Sequence, residues 1–189
     1  DALGCVCAFL LMTDRLGIDS AAYIPGTSPF PDEYRFLPTL ERITRGDPPA
    51  VRPDETVYML DCASLMRSNG HQMPEGAVRI NIDHHQDNPG YGEHNLLDPE
   101  AASSTAILYE IFKAGSFPID KEIATALYVG LVTDTGRFQY SNTNPAAHRM
   151  AAELHHHGLL IVAEHVRQRL GQDVGLEMRA HLGLGAVSW

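Results

Sequence analysis

The chain has 189 residues, of which 44% are hydrophobic and 20% are charged. This composition is ordinary for a globular protein, and the length suits one substantial α/β domain with its own core rather than two. There are 24 acidic residues against 14 basic ones, which gives a formal net charge of -10. This balance argues against a surface that tracks long polynucleotides through clustered cations. Nucleotides are not excluded, because acids that hold divalent metals are neutralised by those ions.

The histidine and cysteine counts indicate which ligand types the chain can offer to a metal. Ten histidines against three cysteines favour imidazole and carboxylate over thiolate. Cys5, Cys7 and Cys62 are odd in number and form no CxxC pair, so we expect buried, reduced thiols. No apolar run approaches the roughly 20 residues that a membrane-spanning helix needs. We therefore expect a cytoplasmic protein with no membrane partner.

The first third of the chain is predicted to contain a helix, a strand and a long loop. A run of small and apolar residues predicts a buried helix over residues 1–16, which Gly17 ends. The apolar residues 21–24 are typical of a short strand. The segment 25–54 is rich in Pro, Gly and Asp, and we expect a loop with one short helix around residues 32–45.

Two compact β-type runs follow, and each one ends on an aspartate. Residues 56–60 end directly before Asp61, and residues 78–82 end directly before Asp83. Beyond residue 100 the pattern becomes helical. The predicted helices are the segment between Ser103 and Gly115, then 121–132, 145–158 and 160–170. Strands that alternate with helices, with acids at the strand ends, indicate an α/β fold: a doubly wound, mainly parallel sheet with helices on both faces.

Acids and imidazoles are predicted to meet at one rim of this sheet. In an open α/β sheet, ligands bind outside the carboxyl ends of the strands, where Asp61 and the run Asp83, His84, His85 fall. An aspartate after a strand is often only a helix N-cap, so Asp61 alone leaves both interpretations open. Three polar groups in a row at a sheet rim suit a site that binds a cation and an anion together.

Two further aspartates come from predicted helix ends. Asp134 ends an apolar helix, where the helix dipole opposes a carboxylate and a nearby cation would offset that cost. Gly136 then permits the chain to turn sharply. Asp1 starts a helix, a position that favours an acid by itself, so it carries little weight alone.

Taken together, four segments resemble those of the DHH phosphoesterases. They are Asp-Ala-Leu-Gly at residues 1–4, Asp61 after its strand, Ile-Asp-His-His at 82–85 and Thr-Asp-Thr-Gly-Arg-Phe at 133–138. They occur in the order and approximate spacing of that family, and the resemblance covers nearly the whole chain. The combination is specific, whereas the Asp-His-His triplet alone is not.

The resemblance implies a site for two divalent metal ions. Asp61 and Asp134 match the two aspartates that bridge or share the metals. His84 matches the imidazole that joins the second metal, and Asp1 matches the second acid of an Asp-x-Asp pair on that same ion. Oxygen and nitrogen ligands without thiolates suit Mn²⁺ or Mg²⁺, and the family usually takes Mn²⁺.

The resemblance also implies catalytic roles for the other two residues of the triplet. His85 matches a histidine that faces the substrate phosphate and stabilises charge or protonates the leaving group. Asp83 supports the pair from behind by orienting the imidazoles. The expected reaction is hydrolysis of a phosphate ester by attack of a metal-activated hydroxide, with no covalent enzyme intermediate.

The family also sets expectations for the extent of the domain. Its motif places a His and another Asp upstream of the position of Asp1, and we expect an N-terminal strand and that first metal motif to precede this chain. Residues 1–170 are predicted to be the catalytic domain. Residues 171–189 are predicted to be a linker toward a smaller C-terminal domain that grips the substrate.

Three enzymatic branches of the family remain open, together with a regulatory module that has lost catalysis. The first branch degrades very short oligoribonucleotides and dephosphorylates 3′-phosphoadenosine 5′-phosphate. The others are RecJ-like single-strand exonucleases and inorganic pyrophosphatases. Short loops and the Pro-Asp-Glu-Tyr-Arg-Phe-Leu-Pro segment at 31–38 favour the first branch. We therefore expect a short oligonucleotide or nucleotide as the partner, and a homodimer remains open.

Overall fold

The computed structural model describes residues 1–46, 50–68 and 77–158, and these contain helices and short parallel strands. The helices are α1 (Ala2–Arg15), α2 (Ser104–Ala114), α3 (Lys121–Asp134) and α4 (Pro145–His155). The strands are β1 (Ala22–Tyr23), β2 (Ile43–Thr44), β3 (Thr56–Leu60), β4 (Val78–Asp83) and β5 (His94–Leu97). The helices and strands predicted at the start of the chain, at 56–60, at 78–82 and between 103 and 134 are therefore confirmed to within about two residues.

The strands pair in parallel and bring their carboxyl ends to one edge. β1 pairs with β2, while β3, β4 and β5 form a second sheet in that order. The register continues past the strand ends, because the N–H of Asp61 donates to the carbonyl of Ile82 at 3.0 Å and the N–H of Asp98 donates to that of Asp83 at 3.1 Å. The predicted α/β class with parallel strands is confirmed, with the described strands divided between two sheets.

Capping side chains fix where the site-bearing helices begin. Ser103 precedes α2, and its hydroxyl accepts a hydrogen bond from the N–H of Ala106 at 3.1 Å. Asp120 precedes α3, and its carboxylate accepts the N–H groups of Glu122 and Ile123 at 3.0 Å each. α3 runs two residues beyond its predicted end, so Asp134 is its last helical residue.

No helix in the described part of the chain is long and apolar enough to cross a membrane.

One secondary-structure prediction is wrong, and one strand was missed. In place of the short helix predicted around 32–45, the chain forms two 3₁₀ turns, Asp32–Tyr34 and Leu40–Arg42, followed by β2. Pro38 lacks an N–H and disfavours the α conformation of the residue before it, and Thr39 adopts a left-handed φ of 66°. β5 was not predicted because its polar half, exposed at the sheet edge, gives no apolar alternation.

The C-terminal part of the chain is described only in part. α4 ends at His155, three residues before its predicted end at 158. The helix predicted over 160–170 and the linker predicted over 171–189 lie outside the described residues. Cys5 and Cys7 are buried, as expected from the sequence, whereas Cys62 is only half-buried; all three are free thiols.

The core forms where α1 and α2 pack against α3. Large side chains with no more than 1% of their surface exposed fill it: Leu108, Phe112, Ile123, Leu127, Leu131 and Leu154. α1 and α3 approach closely at Gly4, where an added Cβ would lie 2.6 Å from the carbonyl oxygen of Ala126 and 2.8 Å from the nitrogen of Gly130. Both of these are backbone atoms, which cannot swing away as a flexible side chain would.

Replacing Gly4 by alanine is therefore expected to destabilise the fold. In an isolated helix the change would stabilise by about 1 kcal/mol, because alanine has the higher helix propensity. Overpacking against backbone reverses that sign and costs about 1–3 kcal/mol. Urea unfolding followed by circular dichroism measures the difference. An unchanged or raised midpoint in Gly4→Ala would contradict the close approach of α1 and α3.

Candidate metal centre

Asp61 and the Asp83, His84, His85 run lie together beyond the ends of β3 and β4. Asp61 follows β3 directly and has a left-handed φ of 54°. This conformation is uncommon for a residue with a side chain, although aspartate tolerates it better than most. Asp83 closes β4 and is fully buried. Backbone strain at such a place is typical of functional sites.

Asp1 reaches the same site from the start of α1. Its carboxylate does not cap its own helix. Instead it accepts the N–H groups of Ser104 at 2.5 Å and Thr105 at 3.2 Å, which belong to the first turn of α2. Only 1% of the Asp1 side chain is exposed. The free N–H groups and the positive dipole end of α2 therefore stabilise a buried anion here.

His84 presents one ring nitrogen to three carboxylates. Its Nδ1 lies 3.2 Å from the carbonyl oxygen of Ala101, which can only accept, so Nδ1 carries a hydrogen. Its Nε2 lies 3.2 Å from Asp134, 3.8 Å from Asp61 and 3.9 Å from Asp1. An imidazole nitrogen that faces three carboxylate oxygens needs a positive charge between them, which a proton or a metal cation supplies.

Asp134 is held at the C-terminal end of α3 under electrostatic strain. Burial raises the pKa of Asp134, and the carboxylate of Asp61 raises it further, whereas His84 acts in the opposite direction. The side-chain amide of Asn142 donates to the carbonyl oxygen of Asp134 at 3.1 Å and to that of Ala102 at 2.9 Å, which ties the helix end to the α2 side. The ionised carboxylate is thus unfavourable here until a cation approaches.

The chain turns sharply just after Asp134, as we expected from the glycine at position 136. Gly136, Arg137 and Phe138 have φ angles of 55°, 60° and 64°, so three successive residues are left-handed. The hydroxyl of the buried Thr135 accepts the N–H of Phe138 at 3.2 Å and thereby stabilises the turn. Strained turns of this kind are typical of functional sites.

The side chains form two overlapping groups that fit divalent metals. Asp61, His84 and His85 offer ligand atoms within 4.8 Å of one another, and so do Asp1, His84 and Asp134. His84 belongs to both groups. Carboxylate oxygen and imidazole nitrogen without thiolate suit Mn²⁺, Mg²⁺ or a similar cation. The raised pKa of Asp134 agrees with this fit, since a bound cation would remove the cost of its charge.

Asp83 lies behind His85 rather than among the facing carboxylates. Its Oδ1 accepts from Nδ1 of His85 at 2.7 Å and from the N–H of His84 at 2.9 Å. Burial acts to raise the pKa of Asp83, but hydrogen bonds from His85 and Asn88 outweigh it, and the pKa lies below its ordinary value. Asp83 is therefore an anion that fixes the ring of His85.

Ser104 belongs to the site, although the sequence did not distinguish it from its neighbours. Capping of α2 explains Ser103. The hydroxyl of Ser104 instead donates to Asp61 at 2.9 Å and lies 3.4 Å from Asp83. Asn88 and Asn142 also contact site residues and were missed. A Ser-Ser-Thr run after an Asp-rich rim was the signal for Ser104, whereas isolated asparagines gave none.

The fold and the site define a class of protein: an α/β protein with buried or half-buried acids and half-buried imidazoles at the carboxyl edge of a parallel sheet. The chain belongs to the DHH family, because residues 1–131 match the DHH family N-terminal domain. The resemblance inferred from the four sequence segments is thus confirmed.

Similar proteins agree with this family. The chain is 36% identical over 130 residues to the bifunctional oligoribonuclease and PAP phosphatase NrnA of Thermus thermophilus, covering 68% of this chain and 39% of that one. It is 29% identical over 140 residues to a probable manganese-dependent inorganic pyrophosphatase of Streptococcus equi, covering 60% and 44%. A solved exopolyphosphatase-related protein from Bacteroides fragilis shares the fold with a TM-score of 0.76 at 22% identity, covering 88% and 52%. The chain thus spans about two fifths to half the length of these proteins.

Proposed function

We propose that this chain forms the metal-binding part of a phosphoesterase that hydrolyses short oligoribonucleotides and 3′-phosphoadenosine 5′-phosphate. The single observation that carries the proposal is the pair of overlapping ligand groups that share His84. Two ions side by side are the usual arrangement for hydrolysis of phosphate esters. The name of the Thermus thermophilus relative, an oligoribonuclease and PAP phosphatase, supports the substrate class.

The metals proposed are two Mn²⁺ ions, with Mg²⁺ as the alternative. Asp1, Asp61, His84 and Asp134 would hold them, since Nε2 of His84 faces the three carboxylates while its Nδ1 donates to the carbonyl of Ala101. His85 also offers a ligand atom beside Asp61 and His84, but Asp83 engages its Nδ1 at 2.7 Å, so we assign it to catalysis. When bound, such ions lower the pKa of a water molecule and neutralise phosphoryl oxygens. The name of the Streptococcus equi relative supports manganese.

His85 and Asp83 are proposed as the catalytic pair. Asp83 accepts the hydrogen on Nδ1 of His85 at 2.7 Å and so orients the ring. The side chain of His85 is 30% exposed, compared with 14% for His84, so a substrate can reach it. His85 would stabilise charge on the phosphoryl group or donate a proton to the leaving oxygen.

The segment that favoured the short-substrate branch has a largely structural role. Leu37 is only 2% exposed, and Tyr34 and Phe36 pack against the core. Arg35 forms an ion pair with Asp32 at 2.8 Å. The preference for short substrates therefore depends on the net charge of -10 and on the relatives, more than on this segment.

The full-length protein is expected to prefer very short RNA. In Mn²⁺, kcat/KM for a ribodinucleotide should exceed that for long single-stranded DNA and for pyrophosphate by about tenfold or more. An acidic protein gains little from phosphates away from the site, so affinity should not rise with chain length. 3′-Phosphoadenosine 5′-phosphate should also be hydrolysed.

The comparison is made side by side at one salt concentration, with Mn²⁺ binding measured on the same preparation. A preference for long DNA would assign the protein to the exonuclease branch, and a preference for pyrophosphate to the pyrophosphatase branch. Metal binding without hydrolysis of any substrate would favour the regulatory module.

A further inference from the structure

Asn88 lies behind the site and contacts both strand ends that carry it. Its side-chain nitrogen lies 2.6 Å from Oδ2 of Asp83 at the end of β4. The same nitrogen lies 3.4 Å from the carbonyl oxygen of Cys62, which follows β3. Its side-chain oxygen accepts the N–H of Gly90 at 2.9 Å, and since a backbone N–H can only donate, the orientation of the amide is fixed.

Cys62 directly follows Asp61, and its carbonyl oxygen accepts several side-chain hydrogen bonds. Within the described residues it receives Tyr91 Oη at 2.7 Å, Asn81 Nδ2 at 3.3 Å and Asn88 Nδ2 at 3.4 Å. Asp61 precedes it with the left-handed φ of 54°. A strained residue persists only where its surroundings hold it, and these three donors hold the Cys62–Ala63 peptide, one residue beyond Asp61.

Asn81 connects Asn88 to β3. It is fully buried and lies two residues before Asp83, so both side chains are on the same face of β4. Its oxygen accepts from Asn88 at 2.8 Å, and its nitrogen donates to the carbonyl of Met59 at 3.2 Å on β3. Asn88 thus belongs to a polar network that joins the ends of two strands.

We propose that Asn88 is a positioning residue that acts on both halves of the site at once. It holds the Asp83 carboxylate in the orientation that fixes His85, and it holds the Cys62 turn that presents Asp61. Both halves of this inference rest on the proposed function: the metal-binding half on the proposed Mn²⁺ ligands, and the catalytic half on His85 and phosphoester hydrolysis. An alanine at 88 would leave Oδ2 of Asp83 without the donor that reaches it in the described structure.

The test is a double-mutant cycle in the full-length protein. Asn88→Ala is expected to weaken Mn²⁺ binding by about 10–100-fold in calorimetry. At saturating Mn²⁺ it should lower kcat by about 10–100-fold with KM changed by less than about threefold. In a His85→Ala background the further loss of kcat should shrink to below about threefold, since the group that Asn88 positions is gone, while the loss of metal affinity persists.

The matched control is Asn95→Ala. Asn95 also makes two local side-chain hydrogen bonds, to the N–H and carbonyl of Gly92, and within the described residues its side chain makes no hydrogen bond to Asp61, Asp83 or either histidine of the site. It should leave Mn²⁺ affinity and kcat near those of the wild type. If Asn88→Ala does not fold, Asn88→Ser, which keeps one donor, should show smaller losses in the same two quantities.

Three results would overturn the inference. The first is unchanged Mn²⁺ affinity in Asn88→Ala, and the second is a loss of Mn²⁺ affinity and kcat no larger than in Asn95→Ala. The third is a double variant whose fold-loss of kcat equals the product of the fold-losses in Asn88→Ala and His85→Ala. Failure of the proposed function looks different. There the wild type would bind Mn²⁺ without hydrolysing the nucleotides, and the metal titration of Asn88→Ala would still decide the effect on Asp61.

Discussion

Asp134→Asn is expected to remove one of two bound Mn²⁺ ions and, at the same time, to raise the melting temperature of the metal-free protein. The substitution keeps the size of the side chain and removes its charge. Burial and Asp61 raise the pKa of Asp134, so its ionised form is unfavourable in the metal-free fold. The carboxylate is needed for the metal but opposes folding without it, and the two measurements should therefore move in opposite directions.

The pH dependence of stability gives a separate check on Asp134. A group whose pKa is raised on folding contributes stability below its unfolded pKa and loses it as pH rises through its folded pKa. For Asp134 this loss starts near the ordinary value of 3.8 and extends above it. The free energy of unfolding of the metal-free wild type should therefore fall relative to that of Asp134→Asn as pH rises through this window.

Calorimetry and thermal unfolding with and without Mn²⁺ measure both effects. In the wild type, Mn²⁺ at about 100 times its Kd adds about 2.7 kcal/mol, or about 5–10 °C in melting temperature. The control is Asp120→Asn, the same chemical change at the other end of α3, where asparagine still caps the helix. Because Asp120 also pairs with Arg15 at 2.7 Å, its loss should lower rather than raise the melting temperature and leave Mn²⁺ binding unchanged. Unchanged Mn²⁺ stoichiometry and affinity in Asp134→Asn would refute the assignment.

The position of the candidate site could be predicted from the sequence because aspartates stand at the ends of two predicted strands. The β-type runs at 56–60 and 78–82 are short, apolar and uninterrupted, and parallel strands carry their carboxyl ends to one edge. Asp61 and the Asp83, His84, His85 run therefore had to lie near each other. Asp1 and Asp134 come from helices, and the spacing of the family motifs, rather than helix physics, predicted that they join this edge.

The sequence could not predict the side-chain contacts that depend on the path of the backbone. The orientation of His84 depends on the carbonyl of Ala101, and every residue has a carbonyl. The proposed role of Asn88 depends on the carbonyl of Cys62, which lies 3.4 Å from its amide nitrogen and one residue after the left-handed Asp61. Likewise, Ser103 and Ser104 are chemically alike, and only the first-turn geometry of α2 makes one a cap and the other a donor to Asp61.

The two adjacent histidines are expected to separate by role. His84 Nε2 faces three carboxylates, so His84→Ala should weaken or abolish Mn²⁺ binding. Nδ1 of His85 is engaged by Asp83, and its ring is more exposed. His85→Ala should therefore keep its metal content near that of the wild type and lower kcat by roughly 10²–10⁴. The opposite pattern would mean that the two assignments are reversed.

The loss in His85→Ala should also depend on the leaving group if His85 donates a proton to it. A nucleotide p-nitrophenyl ester releases p-nitrophenolate, a leaving group that is stable without that proton. His85→Ala should therefore lose much less kcat on this ester than on a ribodinucleotide. Asp83→Asn should follow His85→Ala on both substrates, because Asp83 acts by orienting the same ring. His94→Ala, at an exposed position on β5, is the control and should leave both rates unchanged. Equal losses on the two substrates would assign His85 to charge stabilisation at the phosphoryl group, and no loss on either would remove it from the catalytic residues.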